Sequence, residues 1–228
     1  MKFTAPAIPD HIVKRKEKLN DEVHHLMSTT IPEKVAHLTQ LEHDPRFDLT
    51  RLEPPRSSND ATEAEGDEPS AKRKTVDRAM DVIVPNASIK DIYAILKPEL
   101  KFLLRICLKV SVWIQLLIPR VEDGNNFGVS VQETILEEIG RIQQDIGTYL
   151  DQFTRYHLNR TKIISKSIKY PPIGDIYEAI REMDEKEFLN LQIISGELPN
   201  YYHSLFDILV KNYAKITCPR SDHHGSMY

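Results

Sequence analysis

The chain has 228 residues, a formal net charge of −4, 28% charged residues, 7% aromatic residues and eight glycines. That length allows one full hydrophobic core or two small ones. Scarce glycine and abundant charge favour long helices over a β-sandwich or barrel. The small negative charge gives no broad electrostatic reason to bind nucleic acid.

The cysteines and the apolar runs indicate the compartment. Cys107 and Cys218 form neither a metal-binding spacing nor a disulfide framework, so we expect a reducing environment. Met1–Pro9 lacks the apolar run of a signal peptide. The longest uncharged stretch, Val110–Pro119, has ten residues, about half of a membrane span. We therefore expect a soluble protein of the nucleus, the cytoplasm or both.

The first helix is predicted within residues 1–44, with Asp10 at its start. Ile12, Leu19, Val23 and Leu26 share one face at helical spacing. The run 28–32 ends in Pro32, which fits the first turn of a helix, so a break or kink is expected near it.

Residues 45–87 are predicted to be a mobile excursion, because they carry few apolar side chains to offset the entropy of ordering. They include an acidic run, Asp60–Glu68, followed by Lys72, Arg73 and Lys74. These three basic residues fit a nuclear import patch. A solvated charge cluster beside an acidic tract explains them equally well.

Three more helices follow at 88–118, 130–168 and 174–216. A tail is expected at 217–228, polar and flexible from Arg220 up to its last two residues, Met227 and Tyr228. Pro98 is expected to kink or split the second helix, and Pro199 to kink the fourth. The third helix has apolar residues at steps of three or four from Val131 to Tyr156. Four long helices joined by short turns and one excursion predict an all-α, up-and-down four-helix bundle in a single domain, 1–228.

A compact polar loop is predicted at 119–129. Pro119 ends the second helix, and Gly124 and Gly128 enclose two asparagines, a composition that permits tight reversals. Ser130 with Glu133 three positions later forms a capping-box pattern, which predicts that the third helix restarts at Ser130. A specific loop on rigid helices suits a contact surface. A simple helix connector fits the same spacing.

We find no pattern for catalysis, for a metal or for another cofactor, and expect none. A di-iron bundle needs two Glu-x-x-His pairs, and Glu22 with His25 is the single match. A calcium loop starting at Asp123 would place Phe127 and Thr134 at ligand positions, which excludes it. A metal-dependent bundle enzyme is therefore the weakest interpretation.

The loop and its flanks resemble the 11S proteasome activators, the REG family, and most closely its gamma type. The resemblance rests on WIQLLIPRVEDGNNFGVSVQE at 113–133. It continues in YLDQ at 149–152, SKSIKYP at 165–171 and DEKE at 184–187, and weakly in PRS at 219–221. It is strong from Ile89 onward and thin before that.

The resemblance implies a heptameric ring of such bundles around a pore, which caps the proteasome core particle and opens its gate without ATP. It assigns an activation loop to Arg120, Val121, Glu122, Asp123, Gly124, Asn125, Asn126, Phe127 and Gly128, with Asn125 as the critical asparagine. It assigns docking in pockets between α subunits of the core particle to the tail residues Ser226, Met227 and Tyr228. Lys162 matches a pore-facing lysine of the gamma type, although lysines near a helix C-terminus also suit the helix dipole.

The alternative is a ring-forming scaffold that binds its partners through residues 45–87 and opens no gate. Pro199 and the tail sequence 221–225 depart from the family pattern, so the tail could leave the bundle at a different angle. The tail histidines, His223 and His224, raise the further hypothesis that docking depends on pH.

Overall fold

The computed structural model describes residues 9–41, 43–55, 84–169 and 174–220. Most of these residues are helical, with no strand among them. With α1 and α2 counted as one continuous helical segment, they confirm the predicted all-α four-helix architecture. The chain runs through α1 (Asp10–His25), a π-helical turn (Leu26–Thr30), α2 (Ile31–Leu41), two 3-10 turns (Pro45–Phe47 and Leu49–Arg51), α3 (Ala87–Leu117), α4 (Phe127–Lys169) and α5 (Gly174–Thr217).

The first helical segment changes its geometry where the sequence predicts a break. The backbone N–H of Ile31 bonds to the carbonyl of Leu26, five residues earlier, which defines a π turn. α2 then starts at Ile31, so the π turn directly precedes Pro32, which has no backbone N–H to donate to it. The chain therefore passes from α1 to α2 without a loop.

The two prolines inside α3 and α5 do not split their helices. Pro98 lies within Ala87–Leu117 and Pro199 within Gly174–Thr217, and both elements remain single helices. Each proline removes one backbone hydrogen bond. Apolar neighbours on the same helices, such as Leu100 and Leu198, are completely buried, and this packing offsets the loss.

Residues 45–87, predicted to be mobile, are ordered at their start. Asp44 and Asp48 cap the two 3-10 turns by accepting the N–H groups of Arg46 and Thr50. Phe47 is buried, and its carbonyl accepts a hydrogen bond from Nε2 of Gln192. Farther along, Ser88 Oγ donates to the carbonyl of Arg51 and Asn86 Nδ2 to the carbonyl of Glu53, contacts that composition alone does not reveal. Residues 56–83, including Lys72, Arg73 and Lys74, lie outside the described residues.

Contacts group the chain into two compact units, and α3, α4 and α5 each contribute to both. The first unit contains the chain up to Thr39, Leu100–Gly147 and the chain from Glu197. Its core is made of buried aliphatic and aromatic side chains: Val23, Leu38, Leu103, Cys107, Val110, Trp113, Ile114, Ile135, Ile139, Ile146, Leu205 and Leu209. The loop between α3 and α4 belongs to this unit.

The second unit contains Gln40–Glu99 and Thr148–Gly196. Its apolar core includes Phe47, Ile89, Ile92, Leu96, Phe153, Ile180, Phe188, Leu191 and Ile194. Most residues of the predicted stripes are buried in one unit or the other. Contacts group the chain into two units, whereas three single helices contribute residues to both. The single domain therefore stays a prediction.

Candidate functional site

The loop between α3 and α4 is exposed and sharply turned. α3 ends at Leu117, and the chain stays irregular until α4 begins at Phe127. Gly124 has φ of 116°, a backbone angle that favours glycine. Val121 is 99% exposed, although it is aliphatic. The loop thus exposes the apolar side chain of Val121 together with polar groups.

α4, which corresponds to the predicted third helix, begins at Phe127, three residues before the predicted start at Ser130. The N–H of Ser130 already bonds to the carbonyl of Asn126 at 3.0 Å, and Thr134 Oγ1 donates to the carbonyl of Ser130. The predicted capping box is therefore wrong. Phe127 and Gly128, predicted as loop residues, form the first turn of the helix.

Arg220, just beyond α5, holds the loop through three acceptors. Its Nη1 lies 3.0 Å from the carbonyl oxygen of Arg120 and 3.0 Å from Oε2 of Glu122. Its Nη2 donates to Oδ1 of Asn126 at 2.9 Å. Arg120 Nε pairs with the other carboxylate oxygen of Glu122. The polar composition predicts a flexible tail from Arg220 onward, but the Arg220 side chain is half-buried and bonded to the loop.

The two neighbouring asparagines differ in their surroundings. Asn126 uses both ends of its amide, since Oδ1 accepts from Arg220 and Nδ2 donates to the carbonyl of Glu122 at 3.3 Å. The Asn125 side chain is exposed and makes no hydrogen bond with the described part of the chain. Asn126 therefore stabilises the loop from within, and Asn125 is available to a partner.

The last turn of α5 contacts the first turns of α4 beside the loop. Gln132 is completely buried and donates from Nε2 to the carbonyl of Ile216 at 2.8 Å, which satisfies one of the free carbonyls at the end of α5. The Lys215 ammonium lies 5.9 Å from the centre of the Phe127 ring. The point where the chain leaves α5 is therefore tied to the point where α4 starts.

Other predicted site residues fall in different places. Ser226, Met227 and Tyr228 lie outside the described residues, as do His223 and His224. Lys162 is exposed on α4, within the second unit. Burial raises the pKa of the Cys107 thiol to about 12, so the thiolate needed for nucleophilic chemistry is disfavoured.

The second unit contains a buried polar cluster that the sequence analysis did not predict. Both carboxylate oxygens of Asp184 bond the Arg160 guanidinium, at 2.9 and 3.2 Å. Tyr156 and Asn86 also donate to this carboxylate, at 2.8 and 3.2 Å. Arg160 in turn donates to the carbonyl of Val84. With every charge paired, the cluster fits a structural role.

No described helix is long and apolar enough to cross a membrane. Among the same residues, no group of three or more histidine, cysteine, aspartate or glutamate side chains is placed to hold a metal ion. The loop held by Arg220 is the best-defined candidate site in this part of the chain.

Comparison with known families identifies the class of protein. The family profile described as "Proteasome activator PA28, C-terminal" matches residues 82–226. The chain therefore belongs to the PA28, or 11S, family of proteasome activators. This membership confirms the resemblance inferred from the loop sequence.

Individual relatives extend the match over most of the chain. The human "Proteasome activator complex subunit 3" is 34% identical over 238 residues, covering 93% of each chain, and supports the likeness to the gamma type. "Proteasome activator 28" of Dictyostelium discoideum is 29% identical and covers 99% of this chain and 97% of its own.

Solved structures agree with the fold. The 11S subunit of the Plasmodium falciparum proteasome, PA28, superimposes with a TM-score of 0.79 at 25% identity, covering 96% of this chain and all of its own. A chain from the yeast 20S proteasome in complex with the activator PA26 from Trypanosoma brucei has a TM-score of 0.61 at 13% identity, covering 95% of this chain and 98% of its own. The second likeness supports the fold alone.

Proposed function

We propose that the chain is an ATP-independent activator of the proteasome core particle. Its C-terminal residues Ser226, Met227 and Tyr228 dock on the α-subunit ring, and its loop, Arg120–Gly128, opens the gate and stimulates peptide hydrolysis. The observation that carries this proposal is the loop itself. In a chain of this family, it is held by Arg220 while the Asn125 side chain stays exposed and unbonded within the described residues.

A ring explains how weak tails achieve binding. Ordering one flexible tail costs conformational entropy, so a single tail binds poorly. In a heptameric ring, the first docked tail raises the effective concentration of the others, and avidity follows. We propose a homoheptamer on this ground and on the family resemblance.

Gate opening requires more than docking. A ligand shifts a two-state gate only by binding the open state better than the closed state. A loop held in one conformation can make such a differential contact, whereas an unrestrained loop adapts to both states. We therefore assign gate opening to the loop, with Asn125 as its contact residue, and retention to the tail.

The remaining assignments follow from the same proposal. The chain supplies no catalytic group of its own, since peptide hydrolysis belongs to the core particle. Lys162 is exposed on α4 and is proposed to face the pore. Placement in the nucleus, the cytoplasm or both is proposed, with Lys72, Arg73 and Lys74 as the import patch.

The decisive experiment has two steps. Native mass measurement of the purified chain is expected to give a heptamer. Adding the ring to purified core particle without ATP should raise hydrolysis of a fluorogenic peptide, saturating with ring concentration. A monomer, or a ring that binds and leaves the rate unchanged, would refute the proposal.

Deleting residues 56–83, while keeping the ordered 45–55 segment, separates this proposal from the scaffold alternative. The gating function predicts full stimulation by the deletion variant. If the deletion removed partner binding, and the intact ring gave no stimulation, the scaffold alternative would replace the proposal.

A further inference from the structure

We propose that Arg220 is a positioning residue, which sets the conformation of the activating loop and anchors the start of the docking tail beside it. This inference rests on the proposed function. It extends that function by naming the group that keeps loop and tail in a fixed relationship.

The contacts of Arg220 span the whole loop. Its three acceptors come from Arg120 near the loop's start, Glu122 in its middle and Asn126 at its end. A guanidinium presents its donors in a rigid fork, so it holds several acceptors at once with less entropy loss per bond than lysine. Removing this side chain frees acceptors at three points of a nine-residue loop.

Glu122 and Asn126 transmit the same constraint. Glu122 accepts from Arg220 and pairs with Arg120, so its carboxylate is held between two guanidinium groups. Asn126 bonds Arg220 and the backbone of Glu122. An isolated exposed ion pair would contribute little. Here the charged bonds form a network that leaves the loop few alternative conformations.

The backbone around Arg220 is fixed as well. Cys218 Sγ donates to the carbonyl of Arg220, and the N–H of Cys218 bonds to the carbonyl of Ala214 at the end of α5. Pro219 is buried against Gly128. The tail therefore leaves the bundle from a defined point next to the loop.

This anchoring limits where the tail can dock. Residues 221–228 are a stretch of eight residues. Fully extended, a stretch of that length spans at most roughly 28 Å. Docking through Tyr228 thus places the loop within that distance of the pocket, and Arg220 determines the loop's conformation on arrival.

Arg220→Met tests the inference, because methionine keeps an unbranched side chain and removes every donor. Titration of the ring onto core particle separates two quantities, the concentration for half-maximal stimulation and the maximal rate. We expect the concentration for half-maximal stimulation to change less than about threefold. The maximal rate should fall to roughly a fifth or less, because losing hydrogen bonds to charged groups shifts a local conformational equilibrium about tenfold. Arg220→Lys should retain an intermediate maximal rate.

Controls make each outcome decisive. Arg181→Met removes an exposed arginine of α5 that pairs with Glu178, and should behave as wild type. Asn126→Ala removes one of the three loop acceptors and leaves the Arg220 side chain in place. It should lower the maximal rate in the same way, and it provides the test if Arg220→Met does not assemble. Native mass measurement checks the ring in each case.

Different failures have different meanings. If wild type does not stimulate hydrolysis, the proposed function fails. If wild type stimulates, and Arg220→Met and Asn126→Ala both reach the maximal rate of wild type, the positioning role is overturned. Loss of binding by Arg220→Met at an unchanged maximal rate also overturns it, because Arg220 would then serve the tail alone.

Discussion

The backbone of Pro219 occupies the space that a side chain at position 128 would need. A β-carbon built on Gly128 would lie 2.0 Å from the carbonyl oxygen of Pro219 and 2.6 Å from its Cα. The first turn of α4 and the start of the tail therefore contact each other backbone to backbone. The φ of Gly128 lies outside the left-handed region, so glycine is required here for space and not for its backbone angle.

Gly128→Ala should therefore displace the tail's starting point and weaken the loop's conformation. Overpacking against backbone costs about 1–3 kcal/mol. We expect a lower free energy of unfolding and a several-fold lower maximal stimulation of peptide hydrolysis, measured by urea denaturation and by the fluorogenic assay.

Gly140 provides the matched control on the same helix. A β-carbon there would meet no atom of the described residues within 4 Å. Gly140→Ala should therefore stabilise the chain by about 0.5–1 kcal/mol, through reduced entropy of the unfolded state, and leave stimulation unchanged. If Gly128→Ala and Gly140→Ala had the same free energy of unfolding and the same maximal stimulation, the contact between Gly128 and Pro219 would not contribute to function.

The fold was predictable because its signals are periodic. Residues such as Ile135, Ile139 and Ile146 recur at helical spacing and are buried. The loop was predictable because Pro119 and Gly124 have strong local effects. The start of α4 was not predictable from local signals, because the residues around it contact the distant Arg220 and Pro219: Asn126 Oδ1 accepts from Arg220, and Gly128 packs against the Pro219 backbone.

Contacts between distant residues carry the rest of the site. Arg220 and Glu122 are separated by 98 positions, and nothing in the local sequence of either residue indicates the other. Asp184 and Asn86 are also separated by 98 positions, and the match at 184–187 gave no hint of a buried ion pair. A polar tail composition suggested flexibility at Arg220, because composition does not register one long-range cluster of hydrogen bonds.

Asn125→Tyr is expected to abolish stimulation while ring assembly and docking persist. The Asn125 side chain is exposed and has no hydrogen bond to other described residues, so replacing it should not destabilise the fold. A tyrosine there would alter the surface presented to the gate. Peptide hydrolysis at saturating ring, with co-sedimentation to confirm binding, measures both properties.

The exposed Asn159 on α4 gives a control for the bulk of tyrosine. Asn159→Tyr should stimulate as wild type does. If Asn125→Tyr also stimulates fully, Asn125 is not the gating contact.

Deleting Met227 and Tyr228 should prevent docking and leave the heptamer intact. The two residues lie outside the described residues, beyond the anchored Arg220. Avidity multiplies a weak contact, so losing that contact in every tail should lower the apparent affinity by at least about 100-fold. Surface-immobilised core particle measures binding, and retained affinity would exclude the tail as the docking element.

The Arg160 and Asp184 pair should dominate the stability of the second unit. Their side chains are 6% and 1% exposed. Breaking a buried pair leaves an unpaired charge and costs about 3–5 kcal/mol. Asp184→Asn should therefore lower the free energy of unfolding by about that amount. Glu138→Gln, which breaks an exposed pair with Arg141, should cost under about 1 kcal/mol. Similar losses for both would contradict the structural role of the cluster.

Glu187 should make stability depend on pH in a defined direction. Burial raises the pKa of this carboxyl above its ordinary value of 4.5, although hydrogen bonds from Tyr93 and Gln152 oppose the shift. Lys186 opposes it too. A folded carboxyl with a raised pKa binds its proton more tightly than the unfolded chain does. Its contribution to stability is therefore complete below about pH 4.5 and is lost as the pH rises through the folded pKa.

Glu187→Gln isolates this effect, because glutamine has nearly the same shape and does not ionise. The difference in free energy of unfolding, wild type minus variant, should fall as the pH rises above about 4.5 and level off once the pH exceeds the folded pKa, because only the wild type must then bury a charge. Urea denaturation of both proteins across this range measures the difference, in which the titration of all other groups cancels. A difference that rises with pH would show instead that the bonds from Tyr93 and Gln152 outweigh burial and hold Glu187 ionised.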